Sequence, residues 1–213
     1  PTLELLERNI IQFVQQRDRL AQWGLATKKG LLFYGPPGVG KTHTIHYLAG
    51  ALEGMTTLLI SAEQVGLLSE YMTLARLLQP SMVVIEDADL IARERTAMES
   101  VCEAALASRP GRIDQAIEFP LPDDEGRAKL VRLYSRGLNL PEEVVQATVK
   151  KTEKVSGAFI KELMRRAAQF QLERDGSGEL SLADLDNALE ELLFRGGSLN
   201  RKLLGGHIDA NQE

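Results

Sequence analysis

Residues 31–42 read Leu31-Leu32-Phe33-Tyr34-Gly35-Pro36-Pro37-Gly38-Val39-Gly40-Lys41-Thr42. The opening run of four, ended by Gly and Pro, predicts a buried strand entering a loop, and residues 42–52 predict the helix that follows. The segment fits G-x-x-x-x-G-K-[ST] in its required setting of strand, loop and helix. Its glycines let backbone N–H groups turn inward around phosphates with no Cβ in the way. The N-terminus of the next helix adds the positive end of its dipole. Lys41 is expected to reach the β- and γ-phosphates of ATP, and the Thr42 hydroxyl to ligate Mg²⁺. Gly35, Pro36, Pro37, Gly38, Val39, Gly40, Lys41, Thr42 and His43 are therefore the candidate residues for ATP or ADP. The bland alternative, a Gly/Pro-rich turn before a helix, leaves the Lys-Thr pair unexplained.

Working outward, Thr57-Leu58-Leu59-Ile60 and Met82-Val83-Val84-Ile85 read as two more strands, with a helix over residues 68–78 between them. Ala116 to Phe119 adds a further strand, closed by Pro120-Leu121-Pro122. Strands alternating with helices predict an α/β fold with a parallel sheet and right-handed crossovers. Residues 3–20 carry Leu3, Leu6, Ile10, Phe13, Val14 and Leu20 at helical spacing. Residues 124–137, 141–153, 157–174 and 182–194 read as four amphipathic helices with no strand among them. The expected organisation is a nucleotide-binding α/β core over residues 1–122, a small all-α lid over 123–195 and a flexible tail over 196–213.

The third strand runs straight into Glu86-Asp87, with Asp89 just beyond. A carboxylate ending a buried apolar strand is costly unless it meets a cation or a hydrogen-bond network. In a parallel sheet that strand end is where ligands collect. Glu86 is expected to hold Mg²⁺, directly or through water, and Asp87 to orient or deprotonate the attacking water. The alternative is an acidic turn that merely ends a strand.

Of the 213 residues, 44% are hydrophobic and 26% charged, an ordinary balance for a soluble domain. The formal net charge of −5 argues against nucleic acid as the main ligand. Cys102 is the single cysteine, so no disulfide closes within the chain, which fits a reducing cytoplasm. No apolar run reaches the roughly 18 residues a membrane span needs. The chain opens at Pro1 with no signal-peptide pattern, and reads as a fragment whose upstream domains are missing.

Taken in order, the motifs resemble the AAA branch of the AAA+ ATPases. The resemblance rests on Gly30 through Thr42, Val84-Ile85-Glu86-Asp87-Ala88-Asp89 and Arg109-Pro110-Gly111-Arg112-Ile113-Asp114. It continues through Glu118-Phe119-Pro120-Leu121-Pro122 and Ser156-Gly157-Ala158-Phe159-Ile160-Lys161, covering residues 3 to 194. It implies a P-loop NTPase core with a helical lid, built into a homo-oligomeric ring, usually a hexamer. Such a ring hydrolyses ATP to remodel protein partners in a chaperone-like way. Arg112 matches the arginine finger that reaches a neighbouring subunit's γ-phosphate, a task suited to a permanently charged, forked guanidinium. Gly157 and Ala158 match the lid segment that approaches the nucleotide, and Lys161 is a candidate cationic sensor or a solvated helix residue. The rival reading from another class is a nucleotide-gated protein-binding module with little or no hydrolysis. A DNA-replication loader is disfavoured by the acidic charge.

The chain departs from that pattern. Its acidic pair is Glu-Asp instead of the commoner Asp-Glu, and the second arginine finger falls on Gln115. Glu63-Gln64-Val65-Gly66 lacks the aromatic with which relatives grip a threaded polypeptide. Only residues 88–111 separate Asp87 from Arg112, and none of them reads as the further apolar strand the family has there. The expectation is an omitted segment near residues 102–104, seen as a chain break between Ser100 and Ala105. Glu173 to Asp184 brushes a calcium-loop pattern, but its first and last ligands are wrong, and Ser181 with Asp184 reads better as a capping box. His43 and His46, three apart, are not expected to bind metal.

Overall fold

Short apolar runs ended by Gly, Ser, Pro or an acid become strands here, and the polar-apolar mixtures between them become helices. The computed structural model describes residues 2–86 and 113–195. The chain begins with helical segments α1 (Thr2–Leu6), α2 (Phe13–Gln15) and α3 (Arg17–Gln22), with a π-helical stretch at Glu7–Gln12 between the first two. Then come β1 (Leu31–Tyr34), α4 (Lys41–Ala51), β2 (Thr56–Ile60), a 3₁₀ turn (Ala62–Leu67), α5 (Leu68–Leu77) and β3 (Ser81–Ile85). Beyond residue 112 follow β4 (Gln115–Glu118), α6 (Asp124–Tyr134), α7 (Glu142–Lys151), α8 (Gly157–Arg174) and α9 (Leu182–Glu190). The expected segment boundary near residues 102–104, the expected break between Ser100 and Ala105 and the tail 196–213 lie outside the described residues.

The chain forms two compact units. One takes the residues up to Tyr34 and from Lys41 to Glu118; the other takes Gly35–Gly40 and the residues from Phe119 on. In the first, all described strand pairing is parallel, as crossovers through helices require. The described strands form two pairs, β1 with β4 and β2 with β3. Leu31 lies opposite Gln115, and Thr56 opposite Ser81. Asp114 fixes the first register twice: its N–H donates to Gly30 O at 2.8 Å, and its carboxylate accepts from Gly30 N–H at 2.7 Å. Ile60 is wholly buried and packs with Val65 against Leu68, Tyr71 and Val83. The 3₁₀ turn starts from a capping box between Ser61 and Gln64.

The helical unit holds a dense core in which Val131, Ile160, Leu163, Leu185 and Ala188 have no exposed surface. Polar caps set its helix starts. Asp123 accepts from Gly126 N–H at 2.7 Å ahead of α6, and Ser156 accepts from Phe159 N–H at 3.2 Å ahead of α8. The expected box at Ser181 and Asp184 is present ahead of α9.

Candidate functional site

Between the end of β1 at Tyr34 and the start of α4 at Lys41, three glycines take positive φ: Gly35 at 139°, Gly38 at 74° and Gly40 at 97°. No L side chain adopts these values cheaply, which is why the loop needs glycine at each turn. Two of the three also need it for space. A Cβ on Gly35 would stand 2.2 Å from Phe119 O, and one on Gly38 would stand 2.8 Å from both Ala158 Cβ and Ser156 Oγ. Ala158 N–H donates to Gly38 O at 3.0 Å, and a Cβ on Gly157 would lie 3.5 Å from that same oxygen. The structure thus brings Gly157 and Ala158 to the loop residue Gly38. Phe119 and Ser156 belong to this arrangement and were missed as site residues. Ser156 stood in plain view as an N-cap residue before the apolar periodicity of residues 157–174.

Lys41, Thr42 and His43 form the first turn of α4, where the helix dipole favours an anion. Thr42 and His43 are exposed, and Lys41 is half-buried. Glu86 follows β3 directly, and its N–H donates to Ile60 O at 3.0 Å. Its Oε1 is buried and has no hydrogen-bond partner among the described residues. A buried acceptor left unpaired costs about 1–3 kcal/mol, more for a charged group. The atom is therefore suited to an outside partner, and a carboxylate with a Thr hydroxyl is the hard oxygen donor set that Mg²⁺ takes. Among the described residues no three His, Cys, Asp or Glu gather into a cage. Mg²⁺ bound alongside phosphates needs only one or two carboxylates.

Asp87 and Arg112 lie outside the described residues. Lys161 sits on the exposed face of α8. The calcium-like stretch is held by protein groups. Asp175 accepts from Ser177 N–H at 2.9 Å and from Gln171 Nε2 at 3.1 Å. Asp184 accepts from Ser181 N–H at 2.9 Å and from Arg174 at 3.2 Å. Burial pushes the Asp184 carboxyl upward, yet Arg174 and Ser181 together hold it below the ordinary range.

Residues 31–118 match the model of the "ATPase family associated with various cellular activities (AAA)". The chain is 27% identical over 214 residues to the proteasome-activating nucleotidase of Methanothermobacter thermautotrophicus, covering 80% of this chain and 52% of that protein. The proteasome-activating nucleotidase of Methanopyrus kandleri is 30% identical over 197 residues, 71% of this chain and 45% of the relative. The ATP-dependent zinc metalloprotease FtsH of Thermus thermophilus is 25% identical over 232 residues, 88% of this chain and 37% of the relative. The chain thus spans about half the length of these relatives or less. The first alignment takes in about 170 residues of this chain, 80% of 213, so about 44 of its 214 positions have no counterpart here. The same reckoning leaves about 46 and 45 unmatched positions in the other two. No described helix is long and apolar enough to cross a membrane. With the glycine loop, the Lys-Thr helix start and the acid ending β3 found within the matched span, residues 31–118 form a domain of the AAA family of ATPases.

Proposed function

We propose that this chain is the MgATP-binding and ATP-hydrolysing module of a homo-oligomeric ring, usually a hexamer in this family, that works on protein partners in the cytoplasm. The observation that carries the reading is the loop Gly35–Gly40, whose three positive-φ glycines deliver the chain into the Lys41–Thr42 helix start. Backbone N–H groups of the loop and the head of α4 would hold the phosphates, with Lys41 compensating their charge. Thr42 and Glu86 would hold Mg²⁺, which when bound neutralises charge on the transferring phosphoryl group. Asp87 would orient the attacking water and accept its proton, and Arg112 would reach the γ-phosphate of the neighbouring subunit. The relatives' names speak of proteasome activation and proteolysis; for this chain they support protein remodelling, with the substrate open. A chaperone-like output is the finer form of that proposal.

One observation favours the rival, a nucleotide-gated binding module with little or no hydrolysis: the described strands form two separate pairs. Steady-state phosphate release at rising protein concentration separates the two. Hydrolysis shared between subunits gives activity per chain that climbs with concentration. Asp87→Asn then keeps ATP bound and loses roughly 100-fold in turnover, and Lys41→Ala loses tight binding. Release that stays at background at every concentration, with ATP bound, rejects the ATPase in favour of the module.

A further inference from the structure

Three donors in the opening turn of α8 have partners. Phe159 N–H donates to Ser156 Oγ at 3.2 Å, Ile160 N–H to Ser156 O at 3.3 Å, and Ala158 N–H to Gly38 O at 3.0 Å. The first two bonds are the ordinary work of an N-cap residue, whereas the third leaves the helix and lands on the glycine loop. Packing there is close. Ser156 is wholly buried, and a Cβ on Gly38 would stand 2.8 Å from its Oγ and from Ala158 Cβ. Gly35–Gly40 and α8 belong to one compact unit. The peptide between Gly38 and Val39 is trans, so its C=O and N–H point in opposite directions. A donor that holds Gly38 O on the α8 side therefore turns Val39 N–H away from α8.

We propose that the start of α8 positions the phosphate loop from behind. Ala158 N–H pins Gly38 O, so that Val39 N–H is presented to the phosphates, and Ser156 is the positioning residue that fixes the helix start. The resemblance has Gly157 and Ala158 approach the nucleotide; in this role they act on the loop and need touch no ligand atom. Gly38 suits the pinning because its φ of 74° turns the chain and its missing Cβ admits Ser156 and Ala158. The hold is reciprocal. A phosphate accepting from Val39 N–H polarises that peptide and makes Gly38 O a better acceptor, so ligand and helix each strengthen the other's grip. The inference rests on the phosphate-binding reading of the loop and extends it to what sets the loop's shape.

Calorimetry on the whole chain is the test, with MgATP and with magnesium pyrophosphate, a probe that has neither base nor ribose. Ala158→Pro deletes the one N–H; proline is accommodated in a first helical turn, and Gly157 before it has no Cβ to clash. Affinity for both ligands should fall about 5- to 10-fold, the scale of one lost hydrogen bond. Ser156→Ala should lower both by about twofold to threefold through a loosened helix start. In the unaltered chain, saturating magnesium pyrophosphate should slow hydrogen exchange of the Ala158 amide at least about 10-fold. A merely structural bond would not respond to the ligand. A loss confined to MgATP overturns the proposal, because Ala158 then touches the base or sugar directly. Unchanged affinity for both ligands overturns it too. Should Ala158→Pro not fold, Ala158 exchange that ignores pyrophosphate is the overturning result. A parent chain that binds neither ligand refutes the phosphate-loop reading itself, which is a different outcome from variants that bind as the parent does.

Discussion

Replacing Gly35 by Ala tests whether the phosphate loop is fixed by packing as well as by dihedral preference. Gly35 sits at φ 139°, a region costing a non-glycine residue about 1–3 kcal/mol. The new Cβ would stand 2.2 Å from Phe119 O, where ordinary contact begins above 3.4 Å, so the backbone beyond β4 must yield by about 1 Å. Overpacking of that kind costs about another 1–3 kcal/mol. The expected loss is about 2–6 kcal/mol, and at 2–4 °C per kcal/mol the midpoint falls by about 4–24 °C. Gly40 is the control, with φ 97° and no atom within 4 Å of its Cβ position. Gly40→Ala should cost only the dihedral strain, about 1–3 kcal/mol. Gly50, in the last turn of α4 with open space around it, should gain up to about 1 kcal/mol from Ala. Thermal and urea unfolding followed by circular dichroism gives all three, and calorimetry with MgATP shows whether binding falls in the same order. A Gly35→Ala midpoint equal to the parent's, or a Gly40→Ala loss as large as that of Gly35→Ala, would refute the close-approach argument.

Arg127 is 5% exposed and donates to Pro122 O at 3.0 Å, Asp124 Oδ1 at 2.7 Å and Val149 O at 3.3 Å. Arg127→Met should cost about 2–3 kcal/mol in urea unfolding by stranding those carbonyls, and Lys should not restore the fork. Glu162 is held down to about 2, first by its hydrogen bond from Arg165 and then by Arg166, with burial working against both. A carboxyl lowered on folding contributes stability above its unfolded value near 4.5 and loses it as pH falls toward about 2. Glu162→Gln should flatten the stability profile of the helical unit across that window; an unchanged acid limb means the arginines hold nothing there. Glu86→Gln removes a buried charge with no partner among the described residues. It should leave the metal-free chain as stable or more so while erasing the Mg²⁺ dependence of ATP binding measured by calorimetry.

The local pattern carried most of the elements. Leu31–Tyr34 is a strand as read, while the second, third and fourth strands each begin one residue earlier than their sequence patterns suggested. These runs are too short for a helix and end in Gly, Ser, Pro or an acid, so local chemistry decides them. The capping box at Ser181 and Asp184 was legible because its two partners are three residues apart. What escaped depends on partners far along the chain. Gly35–Gly40 groups with the helical unit because Phe119, Ser156 and Ala158 crowd it, and no local signal connects those positions. Arg127 falls within the amphipathic helix read over residues 124–137, and nothing local marks it as buried. Its burial comes from carbonyls at Pro122 and Val149 that only the fold brings near. The division of the strands into two pairs is likewise a matter of pairing, on which hydrophobic periodicity is silent.

The orphaned oxygen of Glu86 and the half-exposed Ile85 are consecutive in the chain. Among the described strands β3 pairs with β2 alone, so its end is held from that side by Glu86 N–H on Ile60 O. The Glu86 Oε1 is buried without a partner among the described residues, which destabilises the state that lacks a cation and not the one that holds it. Whatever binds this carboxylate then stabilises the α/β unit by mass action, about 2.7 kcal/mol at a hundredfold excess over its dissociation constant. That is a large share of a typical net stability of about 5–15 kcal/mol, so whatever Glu86 binds also steadies the end of β3.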